Sequence, residues 1–468
     1  MAIISEEQRD INDVPSLPDM KSVLPPSPKP WWRTPHLLKL NFLLTVPMIT
    51  GYLIGFDSSM LNGLQSVPIW NKDFDYPSGA RLAVLGTMRI IGAIVSLQIA
   101  PYVADRRGRR LPVFGGSTFA LVGTALQSAA HNLDLFLAGR FLVGFGTGVV
   151  GVASNPLLAE LAYPAHRRFL TSFGATTWFL GAIVAAWSTY GTFKLESSWS
   201  WRIPSILQAV PSLYQAMMIY FTPESPRWLI SHGRSLEARK ILNKYHAGIE
   251  TEPDVSPLVE YEMAETETAI ELEKIQNTGS YMAFFATTAH WAGNGLISFY
   301  LVIVLRSIGI DDPEDQNLIN GGLTVFCYIV SIIGATSTLR FGRRTILLFG
   351  FAGMAISYLI WTVLSSVNQQ RNFKDSGLGY GVVAMIFLYQ LFYNLSINPQ
   401  ICTYGAGLFN GFVNPIAMEA LDWKYYIVWV VMLCVWLILI WFLFPETAGR
   451  TLEEARIPIL DIIVVSYE

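Results

Sequence analysis

The chain has 468 residues, of which 52% are hydrophobic and 14% charged, with a formal net charge of −3. Soluble domains carry about 25% charged residues, so there is too little charge here to coat a water-facing surface. The near-neutral balance excludes nucleic acid as the defining partner, and Cys327, Cys402 and Cys434 lie in or beside apolar runs without metal-ligand spacing, which excludes a zinc site or a disulfide framework.

Residues 1–35 are polar and rich in proline (Pro25, Pro26, Pro28, Pro30) and contain no apolar signal-peptide core, so they read as a cytosolic tail. A membrane span needs about 20 mostly apolar residues. Residues 36–221 supply six, at 37–56, 80–104, 111–130, 136–158, 170–190 and 203–221. The polar stretch 222–281, Glu-rich between Glu250 and Glu273, reads as a cytosolic loop. Residues 282–446 supply clear spans at 318–339, 345–367, 378–398 and 425–444 and weaker ones at 282–305 and 401–418, followed by a tail at 447–468. The expectation is an all-α multi-pass membrane protein in two six-helix halves.

Asp57 stands out in the first span. A charge in hydrocarbon costs several kcal/mol, so such a residue faces a cavity or a partner. The competing reading is that Asp57 ends its helix at the water interface. Arg140, near the start of the fourth span, can pair with Asp57 or with the loop residue Glu160. Arg89, mid-run in the second span, is open to three roles: facing a pathway, snorkelling, or pairing with an acid.

The basic loops follow spans two, four and eight: Arg106, Arg107, Arg109 and Arg110; then Arg167 and Arg168; then Arg340, Arg343 and Arg344. The alternate connections at 131–135 and 307–317 are neutral or acidic, so the positive-inside rule puts the basic loops, both termini and the long middle loop in the cytosol. An internal repeat supports two parallel halves, because Gly-Arg-Arg recurs at 108–110 and 342–344 and Pro-Glu at 223–224 and 445–446. Between these landmarks the first half spans 115 residues and the second 103.

Five motifs in order carry a family resemblance: Asp105 to Arg110, Gly139 to Gly144, Pro223 to Trp228, Arg340 to Arg344, and Pro445 to Leu452. They resemble sugar porters of the major facilitator superfamily. The runs Trp291 to Tyr300, Val413 to Ala417 and Trp423 to Tyr426 are similar to the fungal lactose-permease-like branch. The resemblance covers nearly the whole chain from about residue 35. It implies the major facilitator fold, with Asp57 and Arg140 as the proton-coupling pair. It further implies sugar-binding positions at His290, Asn294, Asn317 or Asn320, Tyr389, Gln390 and Tyr393. The cytoplasmic gating set would be Asp105, Arg109, Arg110, Glu160, Arg168, Glu224, Arg227, Arg343, Arg344 and Glu446.

The chain departs from the pattern in places. His290 stands where many relatives have a glutamine, Phe179 matches a helix-five glutamine, and Leu339 replaces an aspartate in the second Gly-Arg-Arg loop. Only four residues separate Phe285 from His290, and about a dozen apolar residues fit between Tyr404 and Glu419, so helices seven and eleven are expected to be shortened.

The function implied is transmembrane sugar transport by proton symport, without a cofactor, in the plasma membrane. Its partners are a sugar, a proton and the lipid bilayer. The alternatives are a descendant that does not transport or a sugar sensor, the latter disfavoured by the short tail after Ile457. An enzyme is not expected, since His166 and His232 lack a paired nucleophile or metal partner.

Overall fold

A computed structural model describes residues 30–249, 256–275, 294–337, 343–371, 376–396 and 414–443, apart from 415, 416 and 419. The described residues are helical with connecting turns. Hydrocarbon offers backbone groups no water, and helices satisfy them within each segment. The first half is built on α1 Pro35–Ser66, α2 Gly79–Leu97, α3 Arg110–Ser128, α4 Leu133–Leu161, α5 Pro164–Thr192, α6 Trp199–Leu207 and α7 Ala209–Met218, with the short helices Pro68–Asp73 and Ala100–Arg107 between them. The second half contains α8 Asn294–Arg306, α9 Pro313–Ser337, α10 Arg343–Gln370, α11 Ser376–Ser396 and α12 Tyr425–Leu443. Eight described helices are long and apolar enough to cross a membrane: α1, α2, α4, α5, α9, α10, α11 and the helix containing α12. Most of the shortened parts expected in helices seven and eleven lie outside the described residues, although α8 supplies 13 residues of the seventh.

Proline fixes where several elements start and break. Pro35 and Pro164 occupy the first turns of α1 and α5, where a missing N–H costs nothing. The expected sixth span is two helices, because Pro211 cannot donate to the Leu207 carbonyl four residues earlier. Gln208 sits at that break. The expected second span likewise ends at Leu97, and a separate helix Ala100–Arg107 begins with Pro101 in its first turn.

α1 corrects one expectation. It is 32 residues long and continues nine residues beyond Asp57, so Asp57 lies inside a helix rather than at its watery end. The residues that resemble a helix terminus by composition, Ser58, Ser59, Asn62 and Gly63, are all buried against neighbours. Close approach explains two glycines there and opposite: a Cβ at Gly63 would strike Thr189 of α5, and one at Gly144 of α4 would strike the backbone of Arg89 in α2.

The first half has two apolar clusters separated by a polar layer. One, with Leu40, Leu44, Leu157 and Leu161, lies at the end carrying the basic loops; the other, with Phe56, Trp70, Phe136 and Trp201, lies at the opposite end. The second half has its own core built on Met354, Tyr358, Trp361, Tyr389 and Tyr426. Side chains also cross between halves: Tyr300 of α8 joins the Phe56 cluster, and Phe179 of α5 joins the second core.

The middle loop is folded where described. Helices Pro226–Ser231, Ser235–Leu242 and Pro257–Ile275 share a small core of Leu229, Ala238, Leu242, Val259 and Met263. A buried His246–Glu262 contact of 2.8 Å pins this unit to the bundle, because the other ring nitrogen of His246 lies 3.1 Å from the Leu161 carbonyl at the end of α4. Burial, then the Glu262 carboxylate, raise the neighbouring Tyr163 phenol above its ordinary value.

Candidate functional site: a buried carboxylate between two arginines

Asp57 is fully buried, and its carboxylate accepts from three side chains brought in by different helices. Arg140 of α4 donates through Nη1 to Oδ1 at 3.4 Å and through Nη2 to Oδ2 at 3.3 Å. Its Nε donates to the Leu85 carbonyl of α2 at 2.9 Å, which fixes the fork. Arg89 of α2 lies closer, with Nε 3.0 Å from Oδ2. Gln208, at the α6–α7 break, donates from Nε2 to Oδ1 at 3.0 Å. The expected Asp57–Arg140 pair therefore forms, and Arg89 takes the acid-pairing role among its three. Glu160 is not the partner of Arg140; it lies 3.8 Å from Arg109 at the basic end.

Polar contacts join the two halves on the side of this site away from the basic loops. The Asn62 amide of α1 donates to the carbonyls of Ile297 at 3.2 Å and Ser298 at 2.7 Å, and its oxygen accepts from the Leu301 N–H at 3.3 Å. This clamp meets α8 where Tyr300 leaves helical geometry (φ −135°, ψ 27°). The Tyr300 hydroxyl lies against Gly86 of α2, in the space a Cβ there would take. Nearer the surface, Arg306 donates to the Gln65 carbonyl at 3.3 Å, and Lys194 pairs with Glu314 at 2.9 Å. That hydrogen bond to Glu314 raises the exposed Lys194 ammonium above its ordinary value.

In the second half, the structure brings Asn294 and Gln390 together, with Gln390 Nε2 donating to Asn294 Oδ1 at 3.0 Å. Asn394, one turn on, donates to the Gln390 carbonyl at 2.8 Å. Tyr389 is fully buried and meets Tyr358 edge-on, with Tyr393 stacked beside it at 6.2 Å between ring centres. Asn317 and Asn320 are buried on α9, where the Asn317 amide donates to the Pro313 carbonyl of its own helix at 3.0 Å. Phe179, matched to a helix-five glutamine, faces this half and meets Trp178 edge-on at 4.8 Å. His290 lies outside the described residues.

At the basic end Glu224 acts mainly on backbone. Its carboxylate accepts from the N–H groups of Arg109 at 2.9 Å, Arg110 at 3.3 Å and Ser225 at 2.9 Å. Arg110 donates in return to the carbonyls of Ile219 at 3.2 Å and Tyr220 at 2.5 Å, while Arg109 pairs with Asp105 at 3.1 Å. Trp228 closes the loop by donating to the Asp105 carbonyl at 2.7 Å. The repeat holds in three dimensions: Arg344 of the second half donates to the Trp441 carbonyl of α12 at 2.6 Å, as Arg110 does to Tyr220. Arg227 also has an interaction partner. The side chains of Arg168 and Arg343, and all of Glu446, lie outside the described residues.

Sequence reasoning missed Gln208, Asn62, Tyr300 and the Lys194–Glu314 pair. Pro204 and Pro211, flanking Gln208 in an otherwise apolar run, were a readable sign of a break there.

A family model described as "Sugar (and other) transporter" matches residues 43–410 and 400–457. Among curated proteins, the chain is 28% identical over 438 residues to "MFS-type transporter criB" of Aspergillus cristatus, covering 86% of this chain and 90% of that protein. It is 25% identical over 484 residues to "Sugar transporter STL1" of Saccharomyces cerevisiae, covering 92% and 82%. Among solved structures, it superposes with a TM-score of 0.72 on a partially occluded inward open conformation of the xylose transporter XylE from E. coli, at 19% identity over 87% of this chain and all of that one, 100%.

Proposed function

The chain belongs to the sugar transporter family and has the major facilitator fold, and from that premise we propose that it carries a sugar across a membrane by alternating access, coupled to a proton held by Asp57. The observation that carries this reading is the fully buried Asp57–Arg140 pair beside the clamp between the halves. A carboxylate next to a guanidinium favours the charged form, whereas a low-dielectric site without its partner favours the acid. A rocking motion that parts the pair thus loads a proton, and one that restores it expels the proton.

The basic loops mark the cytosolic end, with both termini on that side and the plasma membrane as the site of action. The Asn62, Arg306 and Lys194 contacts then close the outside, so the described arrangement faces inward. The sugar site lies where Asn294 and Gln390 meet, with Tyr389 and Tyr393 supplying aromatic faces. Sugar hydroxyls suit such a site, since amides donate and accept while rings cover apolar C–H faces. His290, Asn317 and Asn320 are further binding positions of this reading. The Asp105–Arg109–Glu224 latch at the cytosolic end holds the first half rigid while the other half rocks.

A second reading rests on the sequence between Tyr404 and Glu419, where about a dozen apolar residues stand against the roughly 20 that a span needs. On that reading the chain binds a sugar without moving it. Counterflow of labelled hexoses, pentoses and polyols in proteoliposomes decides between the two. Saturable exchange of at least one sugar supports transport; sugar binding to the purified protein with no exchange supports the second reading.

A further inference from the structure

Asp57 has one more cation than a proton-coupling pair requires. In the membrane-embedded parts of the first half's helices it is the sole acid away from helix ends, among the described residues, yet two buried guanidiniums touch it. Arg89 is the nearer, at 3.0 Å, and is 5% exposed. Its Nη1 is buried without a hydrogen-bond partner. Arg140 is tied by its Nε to the Leu85 carbonyl, whereas the Nε of Arg89 is spent on Asp57 itself. Arg89 also lies one helical turn from Gly86, against which the Tyr300 hydroxyl of the opposite half rests. Residues three apart share a helix face.

We propose that Arg89 is a positioning residue for proton exchange: a second cation, set beside the contact between the halves, that holds the Asp57 carboxylate empty while the far end is closed. The inference rests on the proton-coupling reading of Asp57. The groups facing that carboxylate are Arg89 from α2, Arg140 from α4 and the neutral Gln208 from the α6–α7 break. α8 brings the Tyr300 hydroxyl to α2, and α5 meets α1 through Thr177, the Trp178 backbone and Thr189, which add no charge. Both guanidiniums pair with a charged carboxylate and lose that pairing with a neutral acid, so this arrangement goes with proton release to the open side. Rocking the halves apart withdraws Tyr300 from Gly86, one turn from Arg89 on α2, and on this proposal frees Arg89 to leave the carboxylate so that it can take a proton.

The test compares wild type, Arg89→Gln and Arg89→Lys in proteoliposomes, reading proton-driven uptake against external pH. The protonated carboxyl band in infrared titration, assigned with Asp57→Asn, gives a second readout. Removing a contacting cation raises a carboxylate pKa, so Arg89→Gln is expected to move both midpoints to higher pH by about one unit or more, and Arg89→Lys to return them to wild type. If Arg89→Gln does not fold, Arg89→Met, similar in length and uncharged, carries the same expectation. Unmoved midpoints with a merely lower rate overturn the inference and leave proton coupling intact. Wild-type uptake indifferent to pH and to uncouplers overturns both.

Discussion

At Asp57, three donors from different helices converge on one buried carboxylate, and the consequences of substitution follow from what each change leaves behind. Asp57→Ala leaves two buried guanidiniums without a counter-charge, a defect that costs about 3–5 kcal/mol. Asp57→Asn keeps an accepting oxygen and is expected to unfold at a clearly higher temperature than Asp57→Ala in detergent. Equal melting temperatures would mean that the arginines find other partners. Gln208→Leu removes one neutral donor of 3.0 Å and is expected to cost only about 1 kcal/mol by the same assay, while moving the pH profile far less than Arg89→Gln. Residue chemistry marked Asp57 as needing a partner but left Arg140 open between Asp57 and Glu160, and the family resemblance selected the Asp57–Arg140 pair. Arg89 was visible but undirected, since one sequence does not say which way a side chain on a long apolar helix points. Gln208 was hidden because a glutamine near a span end looks like an interface residue until the proline break places it inside.

Among the elements, the basic-end turn at Gly108 is the most demanding. Its φ is +86°, and a Cβ there would run into the Glu224 carboxylate. Gly108→Ala combines a left-handed conformation with a steric clash and is expected to destabilise by about 1–3 kcal/mol. Glu224→Gln keeps the shape but gives up the charge on acceptors for the Arg109 and Arg110 N–H groups, and should cost less. Limited proteolysis of the loop between α2 and α3 ranks the two variants, and a protected Gly108→Ala would contradict the assignment. The Gly-Arg-Arg and Pro-Glu motifs announced this latch, because each is short, charged and repeated. What they did not announce is that Glu224 reaches backbone rather than arginine side chains, since motif letters carry no direction. Helix ends were read unevenly for a related reason: α1 runs past Asp57 because its small and polar residues are covered by α5 and α8, a tertiary effect absent from local composition.

For the whole molecule, the far-end contacts define which side is shut. Lys194 is exposed and Glu314 partly so, and their ion pair therefore contributes little to stability, but it reports closure. A Lys194→Cys, Glu314→Cys pair cross-linked by oxidant is expected to abolish uptake until reductant is added; uptake unaffected by the cross-link would mean the halves do not part there. The hydrogen bond raises the lysine, so its share of the closed arrangement is complete below the ordinary value of 10.5 and is lost only as pH climbs above it. Proton coupling at neutral pH therefore has to come from elsewhere, and the buried carboxylate is where this account puts it. The two-half architecture was readable from span count, loop charge and the repeat. The closed far end was not, because Asn62, Tyr300 and Lys194 reach partners more than a hundred residues away. The most direct measurement of the central claim is sugar accumulation in proteoliposomes under an inward proton gradient, alongside counterflow without a gradient, in wild type and Asp57→Asn. The account predicts accumulation by wild type, none by Asp57→Asn, and counterflow retained in both. Undiminished gradient-driven accumulation by Asp57→Asn would contradict it.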